Sequence, residues 1–550
     1  MSSITKTPPA ASPRGAMLNL IRRLHFYIGL LVAPFILVAA LTGTLYVLTP
    51  QLEEALYRDA LFTEPHGQAR SLADQIAAAR RAAGDEARIY AVRPAPGAMD
   101  TTRVQFAGAD LGASESRALF VDPYTLAIKG DMTVYGTSGV LPLRTWLDKL
   151  HSSLLLGDLG RNYSELAASW LWVAALGGVA LWLATRPKRK LKRAKGGFAA
   201  SRHWHITLGV ALLAGLLFFS ATGLTWSQWA GGNIDALRAN LGWLTPQVNT
   251  SLQAEAPADP HAEHRGMMPG MKMGPAAQSN ALNGDWDRAL HAARAAGIDA
   301  AKVELRQPKG EGKAWTVTEV DRSWPTQVDA VAIAPQSFAV IDQVRFDTFP
   351  LIAKLTRWGI DAHMGILFGL PNQLLLAAFG LGLCLMIALG YRMWWSRRPA
   401  AGAQHPVHTL VAAWLALSLP ARAGTLLVAA VLGYCLPVMG VSLAALLLVD
   451  VWRWRGQRQG LRDETPEAAA RRAEVRKFRA AVATVAVAVG CVMGRAILGG
   501  TVEQFQLPIG AWSAQMVIMQ SLMVLLYTLV FTLLLSIPLW YFFLGEKEGR

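Results

Sequence analysis

Six long apolar runs constrain this chain more than any other feature. They are Ile28–Leu48, Leu166–Thr185, Ile206–Trp226, Leu374–Leu389, Ala480–Leu498 and Val517–Leu535. A helix needs roughly 18 or more apolar residues to cross the hydrocarbon core of a bilayer, and each run is near or above that length. A further stretch, Leu410–Val451, is long enough for two crossings but is interrupted by Pro420, Arg422 and Pro437. Hydrophobic residues make up 53% of the chain and charged residues only 17%, which excludes an ordinary soluble globule. The sequence predicts a mainly α, multi-pass membrane protein.

The formal net charge of +15 would suit a nucleic-acid partner if it were spread over a soluble face. It is not: Arg14, Arg22 and Arg23 precede the first run, the basic segment from Arg186 to Lys195 follows the second, and Arg397 and Arg398 follow the fourth. Lys and Arg beside spanning segments encode orientation, positive side inside. These segments, and a further basic stretch from Arg453 to Arg479, are therefore expected in the cytoplasm. An even number of crossings must then separate Arg398 from Arg453, so the interrupted stretch reads as a hairpin turning near Pro437. The expected topology is eight helices, both termini inside and two large loops outside; seven crossings, with the last basic segment outside, is the weaker arrangement. The first apolar run is too long for a signal-peptide h-region and is kept as a helix. Cys384, Cys435 and Cys491 all lie in apolar runs, so neither a disulfide framework nor a thiolate cluster is expected. No C-x-x-C-H occurs, so any haem would be held non-covalently.

An internal repeat organises the first four runs. Aligning Arg22-Arg-Leu-His25-Phe-Tyr-Ile-Gly29 with Arg202-His-Trp-His205-Ile-Thr-Leu-Gly209 sets His on His and Gly on Gly, and the same offset sets Thr42-Gly43 on Thr222-Gly223. The second and fourth runs are introduced alike: Trp146 and Trp358 stand five residues before His151 and His363, and Gly157 and Gly369 stand six residues after them. The unit of helix, outside lobe, His-bearing segment and helix thus occurs twice. Because each copy starts and ends inside, the copies are parallel repeats.

In such a bundle the histidines fall on two levels, His25 and His205 at the inner helix ends, His151 and His363 at or just beyond the outer ends. A single interfacial histidine is most simply an anchor for a helix end, but repetition favours a site, and ionisable residues in a membrane are costly enough to imply function. A haem within a bundle takes one axial imidazole on each face. Two obvious ligands per level fall short of the three or four that zinc takes. His203, two residues from His205, is an alternate ligand.

The first helix ending in Leu41-Thr42-Gly43, the segment Leu150-His151-Ser-Ser-Leu-Leu-Leu-Gly157 and the segment His363-Met-Gly-Ile-Leu-Phe-Gly369 resemble the PepSY-associated transmembrane proteins. These include bacterial iron-regulated membrane proteins and siderophore-iron reductases, and the resemblance covers roughly residues 18–452. It implies a tandem-repeat four-helix bundle holding two b-type haems, with His25, His151, His205 and His363 as ligands and their pairing left open. It also implies two small periplasmic α+β PepSY-like lobes. The residues fit that implication: Ser71–Ala83 and Asp285–Ala296 read as helices closed by Gly84 and Gly297, and Ala118–Val121, Ala314–Val320 and Val328–Ile333 read as strands. His291 and His66 read as surface residues.

The expected partition is 1–48, N-terminus and first helix; 49–143, first lobe; 144–185, His-bearing segment and second helix; 186–205, basic loop; 206–229, third helix; 230–355, second lobe; 356–396, His-bearing segment and fourth helix; 405–452, hydrophobic hairpin; 453–479, basic loop; and 480–550, two further helices. Within the second lobe, His261, His264, Met267, Met268, Met271 and Met273 lie in a Pro- and Ala-rich loop. Such composition reads first as a flexible insertion, while thioether and imidazole donors together also suit copper.

No G-x-S-x-G, H-E-x-x-H or glycine-rich nucleotide fingerprint occurs. The expected function is a haem-containing reductase of the bacterial inner membrane, passing electrons to a periplasmic metal chelate, ferric siderophore first. Its electron donor is membrane quinol or a cytoplasmic flavoprotein, and no nucleic acid is involved. A membrane-anchored PepSY binding or regulatory module, a copper-related reductase and a transporter are the alternatives.

Overall fold

The structure, a computed structural model, describes residues 13–84, 86–112, 114–185, 197–252, 285–397, 409–460, 467–505, 509 and 512–544. The chain divides into two compact units. One contains residues up to Leu41, His151–Ile234 and Phe379 onward; the other contains Thr42–Leu150 and Asp235–Ala378.

The first unit is helical. Among the described residues, six helices are long and apolar enough to cross a membrane: Pro13–Val47, Gly157–Ala184, Leu370–Ser396, Pro437–Arg455, Ala473–Val502 and Gln515–Leu544. Gly197–Ala211 and Leu213–Thr225 qualify only as a pair bent by 59°, and Leu419–Cys435 is a shorter apolar helix. The interrupted stretch breaks at Leu436, between Leu419–Cys435 and Pro437–Gly460. There Gly433 and Gly440 pack so closely that a Cβ at Gly440 would stand 2.8 Å from the Gly433 Cα.

Four of the helices share one apolar core. Ile28, Val32, Ala33 and Ile36 of the first meet Ala167, Trp170 and Leu171 of the second, Leu216 of the third, and Leu383 and Ile387 of the fourth. The third and fourth pass closely at Gly215, where an added Cβ would stand 2.4 Å from the Phe379 ring. Met439 reaches the same core from the hairpin, and Trp170 donates its indole N–H to Ser442 at 2.9 Å. Elsewhere these helices present apolar side chains outward, as lipid requires.

The second unit is built on a sheet. Strands β1 Arg88–Arg93, β2 Thr102–Ala107, β3 Glu115–Val121 and β4 Ile128–Tyr135 come from the first long segment between spanning helices. β5 Val303–Arg306, β6 Trp315–Glu319, β7 Ala330–Ile333 and β8 Val340–Val344 come from the second. The sequence predicts two separate small lobes; the structure instead joins them in one eight-stranded sheet of order β4-β3-β2-β1-β5-β6-β7-β8, antiparallel throughout. The helices predicted before Gly84 and Gly297 run Leu72–Ala83 and Asp285–Ala295. Their apolar faces share one core with the sheet, centred on Ile76, Val92, Phe106, Trp286, Leu305 and Trp315. Both closing glycines sit at positive φ, +96° and +89°, a region open to Gly at no steric cost. Asp287 ties the halves together by accepting the free N–H groups of Leu72 and Ala73 at the start of the first helix.

At the β1–β5 seam Arg93 pairs with buried Glu304 at 2.6 Å, and Arg306 pairs with the other carboxylate oxygen at 2.7 Å. Burial pushes the Glu304 carboxyl up, but Arg306 and Arg93 outweigh it and hold the group below its usual value of 4.5. A depressed carboxylate stabilises the fold fully above its unfolded pKa and ceases to do so as pH falls through the folded one. The seam is therefore expected to loosen only below about pH 4.5. Glu304→Leu, which leaves two buried guanidinium groups unpaired, should cost about 3 kcal/mol. Limited proteolysis of the sheet domain against pH checks both; wild-type resistance that is already falling at pH 6 contradicts the account.

Candidate haem-binding site

His25 and His205 are held by the same device in the two repeats. The Nδ1 of His25 donates to the Ala174 carbonyl at 3.0 Å, on the second helix, and the Nδ1 of His205 donates to the Met386 carbonyl at 2.9 Å, on the fourth. A carbonyl only accepts, so each bond fixes the proton on Nδ1 and leaves the Nε2 lone pair for another partner. This is the usual arrangement behind a metal-ligating imidazole. One turn beyond each carbonyl stands a glycine. A Cβ at Gly178 would lie 3.2 Å from the His25 Cε1, and one at Gly390 would lie 3.5 Å from the His205 Cε1. Each glycine opens a notch that lets the imidazole approach the neighbouring helix closely. The two rings are within electrostatic reach of each other.

The helices carrying these rings are irregular at equivalent places. Three residues after His25 the first helix widens into a π-turn, Ile28–Val32. The offset that relates His25 to His205 carries this turn onto residues 208–212, where the third helix breaks at Leu212 before Leu213–Thr225. π-turns and kinks are costly breaks in the i→i−4 ladder and collect at functional sites. His203 is exposed; its ring meets Trp204 edge-to-face at 5.8 Å, and its backbone carbonyl accepts from Thr207 Oγ1 at 2.9 Å. It does not share the geometry of His205.

A polar network lies beside His25. The Tyr27 hydroxyl donates to buried Asp450 at 2.5 Å and accepts from Arg453 at 3.2 Å. The second oxygen of Asp450 accepts the Val411 N–H at 2.7 Å, at the start of helix Leu410–Leu415.

His151 ends the helix Pro142–Ser153 within the first unit. Burial lowers its pKa to about 4 against the opposing pull of the Ala39 carbonyl, so the ring is neutral, the state that ligates a metal. The carbonyl of His151 accepts from the Tyr163 hydroxyl at 2.5 Å. His363 ends the helix Leu351–His363 within the second unit. Two residues earlier, fully buried Asp361 pairs with Arg322 at 2.5 Å, which anchors that helix to the loop after β6. Gly157 and Gly369 both adopt positive φ, +58° and +57°, opening the second and fourth helices alike.

Sequence pairs Trp358 with Trp146, but the structure distinguishes them. Trp146 is half exposed, whereas Trp358 lines a groove of about 340 Å³ with Thr326, Arg345, Phe346 and Lys354. The Trp358 Nε1 and Thr326 Oγ1 atoms are buried behind that groove, and among the described residues they have no hydrogen-bond partner. His291 lies on the helix Asp285–Ala295, away from these groups in sequence and with an exposed side chain. His66 is likewise exposed. His261, His264, Met267, Met268, Met271 and Met273 lie outside the described residues, and among the described residues no three His, Cys, Asp or Glu side chains group as a metal site.

Residues 22–397 match the family described as PepSY-associated TM region. This chain belongs to that family. The match ends at the close of the fourth spanning helix, so the PepSY-associated core contains both repeats and all four candidate ligands. Residues 468–547 match a second family, described as a protein of unknown function (DUF2534). Over 76 residues this part is 41% identical to the uncharacterized protein YnaJ of Escherichia coli K12, covering 14% of this chain and 89% of YnaJ. The YnaJ proteins of E. coli O6:H1 and O157:H7 match to the same extent.

Proposed function

We propose that this PepSY-associated protein is a haem-containing reductase of the bacterial inner membrane that delivers electrons to a ferric chelate outside. The observation that carries this reading is the duplicated imidazole seat: Nδ1 committed to a carbonyl of the next helix, Nε2 left open, a glycine one turn on. Anchoring a helix end needs none of these, and a transporter or a tethered binding module gives no reason to repeat them.

His25 and His205 would hold one b-type haem in this reading, and His151 and His363 are the further candidate ligands, each described within its own unit. Bound haem supplies a one-electron couple whose potential is set by its axial ligands, burial and nearby charge. The protein's own part is to fix each imidazole tautomer, keep the ring close to a glycine-lined helix, and bury it among apolar side chains. Basic segments flank the helix ends near His25 and His205, so the expected orientation sets these inside, facing quinol or a cytoplasmic flavoprotein, with both termini in the cytoplasm and the sheet domain in the periplasm.

On the acceptor side, the groove at Trp358 is lined by Arg345 and Lys354, cations suited to the oxygen atoms of an anionic chelate. Trp358 stands on the same helix as His363. Ferric iron is the substrate: hard oxygen ligands favour Fe(III), so reduction loosens the chelate and releases iron for uptake.

The test is reduction of an external ferric chelate by membrane vesicles energised with a quinol donor, read as Fe(II) trapped by a chromogenic ligand. His151→Ala and His363→Ala are each expected to lower the rate at least tenfold while the His25–His205 haem stays reducible by the donor. Wild-type vesicles that reduce no faster than vesicles lacking the protein would overturn the proposal.

A further inference from the structure

The last two helices among the described residues, Glu467–Phe505 and Ala514–Leu544, form a hairpin whose members pack on each other. A Cβ at Gly490 of one would stand 3.6 Å from Thr528 of the other, an ordinary close contact. The same segment accounts for 89% of the length of YnaJ, so elsewhere it is a polypeptide in its own right.

It meets the rest of the helical unit in two places: Glu467–Phe505 packs on helix Gly157–Ala184, and the end of Ala514–Leu544 enters a cluster of rings. Helix Ala514–Leu544 turns a stripe of Ile518, Leu522, Leu525, Leu529 and Leu533 outward, each more than 60% exposed, as a lipid-facing surface. Its last turn is engaged from outside the hairpin by rings. Tyr541 lies between Trp394 and Trp395, with centroids 4.9 and 4.6 Å away, and Phe543 meets Trp452 at 5.9 Å. Phe542 lies under the Arg453 guanidinium, 2.9 Å from ring centroid to carbon. Aromatic and cation–π contacts of this kind contribute most where water is excluded. Arg453 is the residue that also donates to the Tyr27 hydroxyl, two positions from His25.

We propose that the C-terminal hairpin is an accessory subunit carried on the same chain, docked on the seam of Trp394, Trp395, Trp452 and Arg453, and that free-standing two-helix proteins of the YnaJ kind fit this same seam. Docked, the hairpin holds Arg453 between Phe542 and Tyr27. The docking stands on packing alone and does not depend on the haem reading.

The experiment uses the full chain with a protease site inserted between Gly460 and Glu467 and an affinity tag at the N-terminus. After purification in mild detergent and cleavage, the hairpin should stay with the tagged core, and added E. coli YnaJ should compete for its place. The combined Tyr541→Ala and Phe543→Ala variant should raise the released fraction at least tenfold. Trp395→Ala, on the core side, should do the same and guards against a hairpin that simply misfolds. A wild-type hairpin that leaves on cleavage would overturn the docking, as would seam variants that stay bound like wild type. YnaJ that neither binds the core nor displaces the hairpin would overturn the assignment of the seam to free-standing partners.

Discussion

His25→Ala and His205→Ala are each expected to remove the same haem, lowering its occupancy tenfold or more and leaving the rest of the visible spectrum unchanged. Loss of a hydrogen bond behind a metal ligand already costs about 10- to 100-fold in metal affinity, and loss of the ligand itself costs at least as much. The two variants should be indistinguishable because the rings are within electrostatic reach of each other and are seated alike. His203→Ala is the informative control. It lies two residues from His205, yet its side chain is exposed and lacks the carbonyl partner and the glycine notch. It should retain full haem, as should His291→Ala. Haem extracted per purified chain checks all four; full occupancy in His205→Ala together with loss in His203→Ala would mean the wrong imidazole has been assigned.

Filling the notches should have nearly as large an effect without touching a ligand. Gly178→Leu and Gly390→Leu place a branched side chain where the imidazole ring now lies, since even a bare Cβ stands 3.2 and 3.5 Å from the ring carbon. Overpacking of this kind costs about 1–3 kcal/mol, and the ring, being the softer partner, should be driven off its carbonyl. The expected result is loss of the same haem as in His25→Ala, with protein yield close to wild type. Gly178→Ala should be milder, because the neighbour needs to give only a few tenths of an ångström. Gly494→Leu, on another spanning helix with open space around it, should leave haem untouched. If Gly494→Leu and Gly178→Leu behave alike, the effect is general damage to the helices rather than loss of the seat.

Much of this site was legible in the sequence because repetition exposed it. His25 and His205, each followed by Gly four residues on, align without gaps, and the glycines six residues after His151 and His363 turn out to share one left-handed backbone state. What could not be read were the partners. Ala174 and Met386 act through their carbonyls, which carry no residue signature, and Gly178 and Gly390 look like ordinary small residues inside apolar runs. Aligning the second and fourth helices on these glycines would have set Ala174 on Met386, but nothing local says that a carbonyl there faces a histidine on another helix. The break at Leu212 was equally hidden, since an apolar run reads the same whether straight or bent. In the sheet domain, both helices and three of the strands stood out by composition and turn residues. The joining of two lobes into one sheet did not, because it rests on the pairing of Val92 with Leu305, far apart in the chain, in strands of six and four residues. The Arg322–Asp361 pair was missed for the same reason: burial is a property of the fold, and neither residue is unusual in its own segment.

The central claim is that the duplicated seat at His25 and His205 holds haem, and the most direct measurement is made on the purified, unmodified chain from haem-replete cells. Pyridine haemochrome quantification alongside the reduced-minus-oxidised spectrum should give b-type haem bound at two per chain, with the low-spin bands of two imidazole ligands. A folded, colourless preparation would contradict it.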